Sequence, residues 1–132
     1  MNNTIQSELP ASEAALRMLV DGSAFELPTA YIELLRRSNG CEGDLNIDPG
    51  YLVLWKVEEV HEFNRDYEVP KWAPGFMGFG SNGGGELIAF DFRSSGDPRV
   101  SMIPMIGMEP DAAIELAPNF ETFVTHLLSA EH

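Results

Sequence analysis

Apolar residues recur at two spacings along this chain, and the change of spacing divides it. From Ser12 to Asn39 the period is helical. Leu16, Leu19 and Val20 repeat at i, i+3 and i+4 behind Ser12, an N-cap residue, and Gly22 closes the segment. Leu27-Pro28 opens a second helix, with Pro28 at the first helical position, where its missing N–H costs nothing. Tyr31, Leu34 and Leu35 form its buried stripe, and Asn39-Gly40 supplies left-handed residues to end it. The apolar run from Tyr51 to Trp55 predicts a strand. A third helix starts near Val57, with Glu58 and Glu59 in the first turn, at the positive end of the helix dipole. Val57, Val60, Phe63, Asn64 and Tyr67 share its inward face, and Pro70 and Pro74 bound the loop after it.

From Phe76 the period becomes strand-like. Phe76 to Gly80, Glu86 to Phe92 and Arg99 to Ile106 read as three strands, and Ala113 to Leu116 adds a short fourth. Asn82-Gly83-Gly84 and Ser95-Gly96-Asp97 are the turns between them, so neighbours pair antiparallel. At least one of Gly83, Gly84 and Gly85 is expected at positive φ. Asn119 then caps a last helix with the stripe Phe120, Phe123, Val124, Leu127 and Leu128. Hairpins flanked by helices, without alternating βαβ units, predict an α+β domain. Its expected sheet is mainly antiparallel with about four to five strands, two N-terminal helices, one inserted helix and a C-terminal helix. Leu34, Leu35, Phe63, Phe90, Phe123 and Leu127 are expected to be buried together.

Composition narrows the function classes. With 132 residues, 44% of them hydrophobic, the chain fits one domain with a real core. Eight Lys and Arg against 21 Asp and Glu leave a net charge of −13. That charge repels phosphate backbones and anionic lipid, and it attracts basic partners. The single cysteine, Cys41, excludes an internal disulfide and suits a reducing compartment. The longest apolar stretch is far too short to span a bilayer, and the first residues carry no basic leader pattern. The expectation is a cytoplasmic protein.

Several short patterns fail as chemical motifs. Gly78, Gly80 and Gly83 fit G-x-G-x-x-G, but Glu86 to Phe90 follows as a strand where a dinucleotide site needs a helix. Asp44-x-Asn46-x-Asp48 opens like a calcium loop, yet Pro49 and Trp55 occupy the positions that need Gly and Glu. His61-Glu62 begins a zinc motif that Arg65 breaks. Cys41 follows a helix C-terminus, whose partial negative charge raises a thiol pKa. Met102, Met105 and Met108 read first as core packing, with an adaptable contact surface as the alternative. No catalytic residue, cofactor site or metal site is expected.

Three segments together resemble a known family. They are Leu27-Pro28-x-x-Tyr31-x-x-Leu34-Leu35 ending in Asn39-Gly40, the glycine-rich run from Gly80 through Gly83, Gly84, Gly85 and Glu86 to Phe90-Asp91, and Phe120-Glu121-Thr122-Phe123. Trp55, Asn64 and Pro74-Gly75 also fall at family-like places. Their order and spacing are similar to the SUKH superfamily, which holds the yeast Smi–Knr cell-wall regulators and many bacterial immunity proteins. The likeness runs from about Ser12 to Leu128. It implies an α+β domain that binds a protein and lacks catalytic residues. For bacterial members it implies neutralisation of secreted polymorphic toxins, often nucleases or deaminases. The alternative is a regulatory or scaffold protein of the yeast type, whose members carry long regions that this chain lacks. An enzyme is the third reading, supported only by unpatterned carboxylates.

The expected partner is therefore a basic toxin domain, with neither nucleic acid nor membrane bound directly. The residues expected to meet it are Glu42, Asp44 and Asp48 in an acidic loop, with Glu58, Glu59 and Glu62 at the start of the third helix. These two groups flank the strand from Tyr51 to Trp55.

Overall fold

A computed structural model describes residues 6–45 and 48–129. Among them the order is β1 (Gln6–Ser7), α1 (Glu13–Gly22), α2 (Thr29–Arg37), β2 (Cys41–Asp44), β3 (Tyr51–Leu54), α3 (Val57–Asp66), α4 (Val69–Trp72), β4 (Phe76–Ser81), β5 (Glu86–Asp91), β6 (Arg99–Pro104), β7 (Ile114–Ala117) and α5 (Phe120–Ser129). The strands form one antiparallel sheet in sequential order, β1 to β7. The class is α+β, as the periodicity indicates.

The strand count exceeds the expected four to five. Six strands have four residues or more, and the two-residue β1 extends the edge. The strand that hydrophobic patterning missed is β2, Cys-Glu-Gly-Asp, which has almost nothing apolar to alternate. It forms because β3 pairs with it along its whole length, from Cys41 opposite Leu54 to Asp44 opposite Tyr51. Glu42 and Asp44 therefore stand on a strand and not in a loop. Residues 69–72, expected as loop between prolines, make a short helix with Pro70 in its first turn, where a proline N–H is not needed.

Helix ends follow the sequence signals with three corrections. Ser12 caps α1, its hydroxyl accepting from the Ala15 N–H at 3.1 Å. Val20, however, is 47% exposed at the margin of the stripe that Leu16 and Leu19 bury. Pro28 precedes α2 as its N-cap instead of entering it. At the end of α2 only Gly40 is left-handed, with φ of 93°. A Cβ there would sit 2.7 Å from the Leu54 carbonyl oxygen, so the close approach of β3 also requires glycine. Asn39 keeps negative φ because its amide has other work: its Oδ1 accepts from the Val57 N–H at 2.7 Å and caps α3 from outside the helix.

The core gathers on β4 and β5. Leu87, Ile88, Ala89 and Phe90 are all without solvent contact, so β5 is covered on both faces. Helices α3 and α4 lie over β4 with α1 packed on α3, while α5 packs onto β6 and β7 and pairs with α2. Tyr31 of α2 meets Phe79, Phe90 and Phe120 at ring separations of 5.1–5.5 Å, at tilted to edge-on angles that aromatic quadrupoles favour. Leu35, Phe90 and Phe123 are buried as expected, and Leu34 and Phe63 are partly buried against the same cluster. The side chains of Leu127 and Leu128 lie outside the described residues.

A buried amide joins the helical and sheet layers. Between Gly78 and Gly80 the register of β4 shifts against β5, leaving the ladder irregular. Asn64 of α3 meets that place directly. Its Nδ2 donates to the Gly78 and Val60 carbonyls at 2.8 and 2.7 Å, and its Oδ1 accepts from the Gly78 N–H at 2.8 Å. Both backbone groups of Gly78 are thereby satisfied out of reach of water.

Candidate functional site

The β2–β3 register decides which acidic side chains share a face. Residues directly opposite in an antiparallel pair point the same way, so Glu42 and Val53, and Asp44 and Tyr51, project together from the hairpin. Gly43 and Leu52 point inward and are buried. Glu42 and Asp44 are exposed. The Tyr51 hydroxyl donates to Glu42 Oε2 at 2.6 Å, across the diagonal of the hairpin. That hydrogen bond to a carboxylate holds the phenol above its ordinary pKa, so Tyr51 remains a donor. The Tyr51 ring also lies over Gly83, where a Cβ would come within 2.8 Å of it. Gly83 has φ of 77°, the positive value expected within the glycine run.

Asp48 is exposed in the turn beyond Asp44, a turn closed by Leu45 N–H donating to the Gly50 carbonyl at 2.9 Å. Asn46, the middle residue of the calcium-like pattern, lies outside the described residues. Glu58, Glu59 and Glu62 sit past the opposite end of β3. From Tyr51 to Leu54 the strand spans about 10 Å at roughly 3.3 Å per residue. The two acidic groups thus lie at the two ends of β3, with Glu42 beside its middle.

The helix group divides by role. Glu58 Oε1 accepts from Asn39 Nδ2 at 2.9 Å, and Glu59 Oε1 accepts from the Lys56 N–H at 3.1 Å. Both carboxylates therefore serve the start of α3, where unpaired N–H groups and the helix dipole favour anions. Glu62, one turn further, is exposed. Sequence reasoning missed Tyr51 as the hydroxyl companion of Glu42 and Asn39 as the clamp on Glu58. The visible signal for Tyr51 was its alternation with buried Leu52 and Leu54.

The remaining chemistry-bearing side chains are tied into the framework. His61 Nε2 lies 2.9 Å from the Leu19 carbonyl and links α3 to α1. The Cys41 thiol is pushed up to about 11, chiefly by burial and further by the Glu8 carboxylate, which disfavours a thiolate. That direction matches the sequence argument, although burial and not the helix dipole is the main cause. The glycine run leads from β4 into strand β5, so no helix N-terminus faces it. Among the described residues no cluster of His, Cys, Asp and Glu is arranged to hold a metal ion. No described helix is long and apolar enough to cross a membrane.

A helix-flanked antiparallel sheet, with its motif residues committed to caps and packing, defines a small α+β protein. The SMI1 / KNR4 family (SUKH-1) model matches residues 10–126, and the chain belongs to that family. No curated protein matches it. The family assignment agrees with the resemblance carried by the Leu27-Pro28, Gly83-Gly84-Gly85 and Phe120-Glu121-Thr122-Phe123 segments.

Proposed function

We propose that this protein is a non-catalytic binding module, an immunity protein that neutralises a cognate polymorphic toxin by occupying its basic surface. A nuclease or deaminase domain is the class of toxin meant. Family membership supports a protein-binding role. The observation that carries the reading is the outer face of the β2–β3 hairpin, where Glu42 and Asp44 stand exposed side by side with Asp48 beyond them. Sites that hold phosphate are basic, so such a face fits them and speeds encounter through long-range attraction. Glu62 extends the negative field past the other end of β3. Glu58 and Glu59 add charge while also holding the helix start. The compartment that follows from this reading is the cytoplasm.

The test is functional inhibition. The partner is captured from the native strain, identified by mass spectrometry, purified, and assayed with increasing amounts of this protein. Loss of the partner's activity at an equimolar ratio is expected. A partner of acidic character, or one whose activity is untouched at saturation, overturns the proposal.

A further inference from the structure

A cleft of about 470 Å³ opens between α4 and the connection from β6 to β7, lined by Trp72, Met105, Gly107, Met108 and Glu109. Trp72 is 50% exposed, and Ile106, in the same connection as Met105 and Gly107, is 94% exposed. We propose that this cleft takes an arginine side chain from a basic protein partner, its guanidinium laid between the Trp72 indole and the Glu109 carboxylate. The inference deepens the proposed function by naming what a basic partner inserts, and it rests on that reading.

Three observations select the occupant. The ring is already a cation acceptor, since Lys71 Nζ lies 4.8 Å from the Trp72 centroid. That lysine is shared with Glu68, whose carboxylate lies 3.8 Å away, so the chain's own cation is part neutralised. Among the described residues no ion pair engages Glu109, and no Lys or Arg follows Arg99 in the chain to supply one locally. Charge complementarity thus favours a cation from outside. Met105 and Met108 line the same cleft with thioethers, which suit the methylene stem of a long side chain. Arginine fits better than lysine because a planar fork both stacks on an indole and matches a carboxylate. Asp111, exposed in the next turn, adds negative charge that it shares with Arg93.

The experiment is an NMR titration of the full chain with N-acetyl-arginine N-methylamide, and in parallel with the neutral citrulline analogue. Saturable shifts of the Trp72 indole N–H and the Met105 and Met108 methyls are expected with the arginine probe alone. The indole of Trp55, only 4% exposed, serves as the unmoved control. Glu109→Gln should weaken the apparent affinity about fivefold, through loss of a charge-assisted hydrogen bond. Equal shifts with citrulline, an unchanged Glu109→Gln titration, or shifts confined to Glu42 and Asp44 would each overturn the assignment. The small probe reports on the cleft alone, so such a failure leaves the acidic-face reading to its own inhibition test.

Discussion

Strand β5 keeps Leu87 to Phe90 wholly out of water, whereas the outer face of the β2–β3 hairpin holds Glu42 and Asp44 in it. Both belong to one sheet. The difference lies in what covers each part. Around β4 and β5, helices α2, α3 and α5 bring Tyr31, Asn64, Phe120 and Phe123 onto the strands. Along the hairpin face, Tyr51 bonds Glu42 and rests on Gly83. The buried residues of the core and the exposed residues of the hairpin face are thus separate sets. Substitutions should separate the same way, with stability responding at the centre and binding at the hairpin.

The largest effect is expected at the buried amide. Asn64→Leu leaves the N–H and C=O of Gly78 buried without partners, each worth about 1–3 kcal/mol. A loss of roughly 3 kcal/mol should appear as a lower denaturation midpoint, and an unmoved midpoint would remove Asn64 from the framework.

A smaller, pH-dependent effect is expected at Asp91. Burial raises its carboxyl pKa, but the hydrogen bonds and charge of Arg93, at 2.9–3.0 Å, outweigh that and hold it below the usual value. A lowered folded-state pKa stabilises fully above the ordinary aspartate value of about 4, and that contribution fades as pH falls through the folded value. Asp91→Asn should therefore be less stable than the parent at pH 7, with the gap closing on acidification. Midpoints measured from pH 7 to pH 3 check this, and a constant gap would contradict it.

The smallest effect is at Tyr31. Its hydroxyl is buried and finds no hydrogen-bond partner among the described residues, and burial pushes its pKa up. Tyr31→Phe should be neutral or stabilising by about 1 kcal/mol, because it removes an unsatisfied polar group. Marked destabilisation by calorimetry would mean that the hydroxyl has a partner.

Much of the centre was legible because it is periodic. Leu16 and Leu19, Tyr31 and Leu35, Val57 and Val60, and Phe120 and Phe123 are all stripe positions, and all are buried. Strand β2 was not legible, since Cys-Glu-Gly-Asp becomes a strand only through pairing with β3. Asn39 looked like a helix stop, and its bond to Val57, 18 residues away, is a tertiary fact that local pattern does not contain. The acidic candidates were found by charge, and Glu58 and Glu59 were placed at the helix start by their first-turn positions, but their partners Asn39 Nδ2 and the Lys56 N–H were not legible. Trp72 carried no signal at all, because a lone aromatic beside two prolines has no period.

The central proposal is that the exposed acids at the two ends of β3 meet the partner. It is tested most directly by Asp44→Lys, Asp48→Lys and Glu62→Lys combined, with unfolding midpoint and association with the captured partner measured on one preparation. The midpoint should stay within about 1 kcal/mol of the parent, as exposed surface substitutions usually do. The association rate should fall by about tenfold or more at low salt and approach the parent's at high salt, where screening removes the steering. An unchanged association rate at low salt with an intact fold would contradict the account.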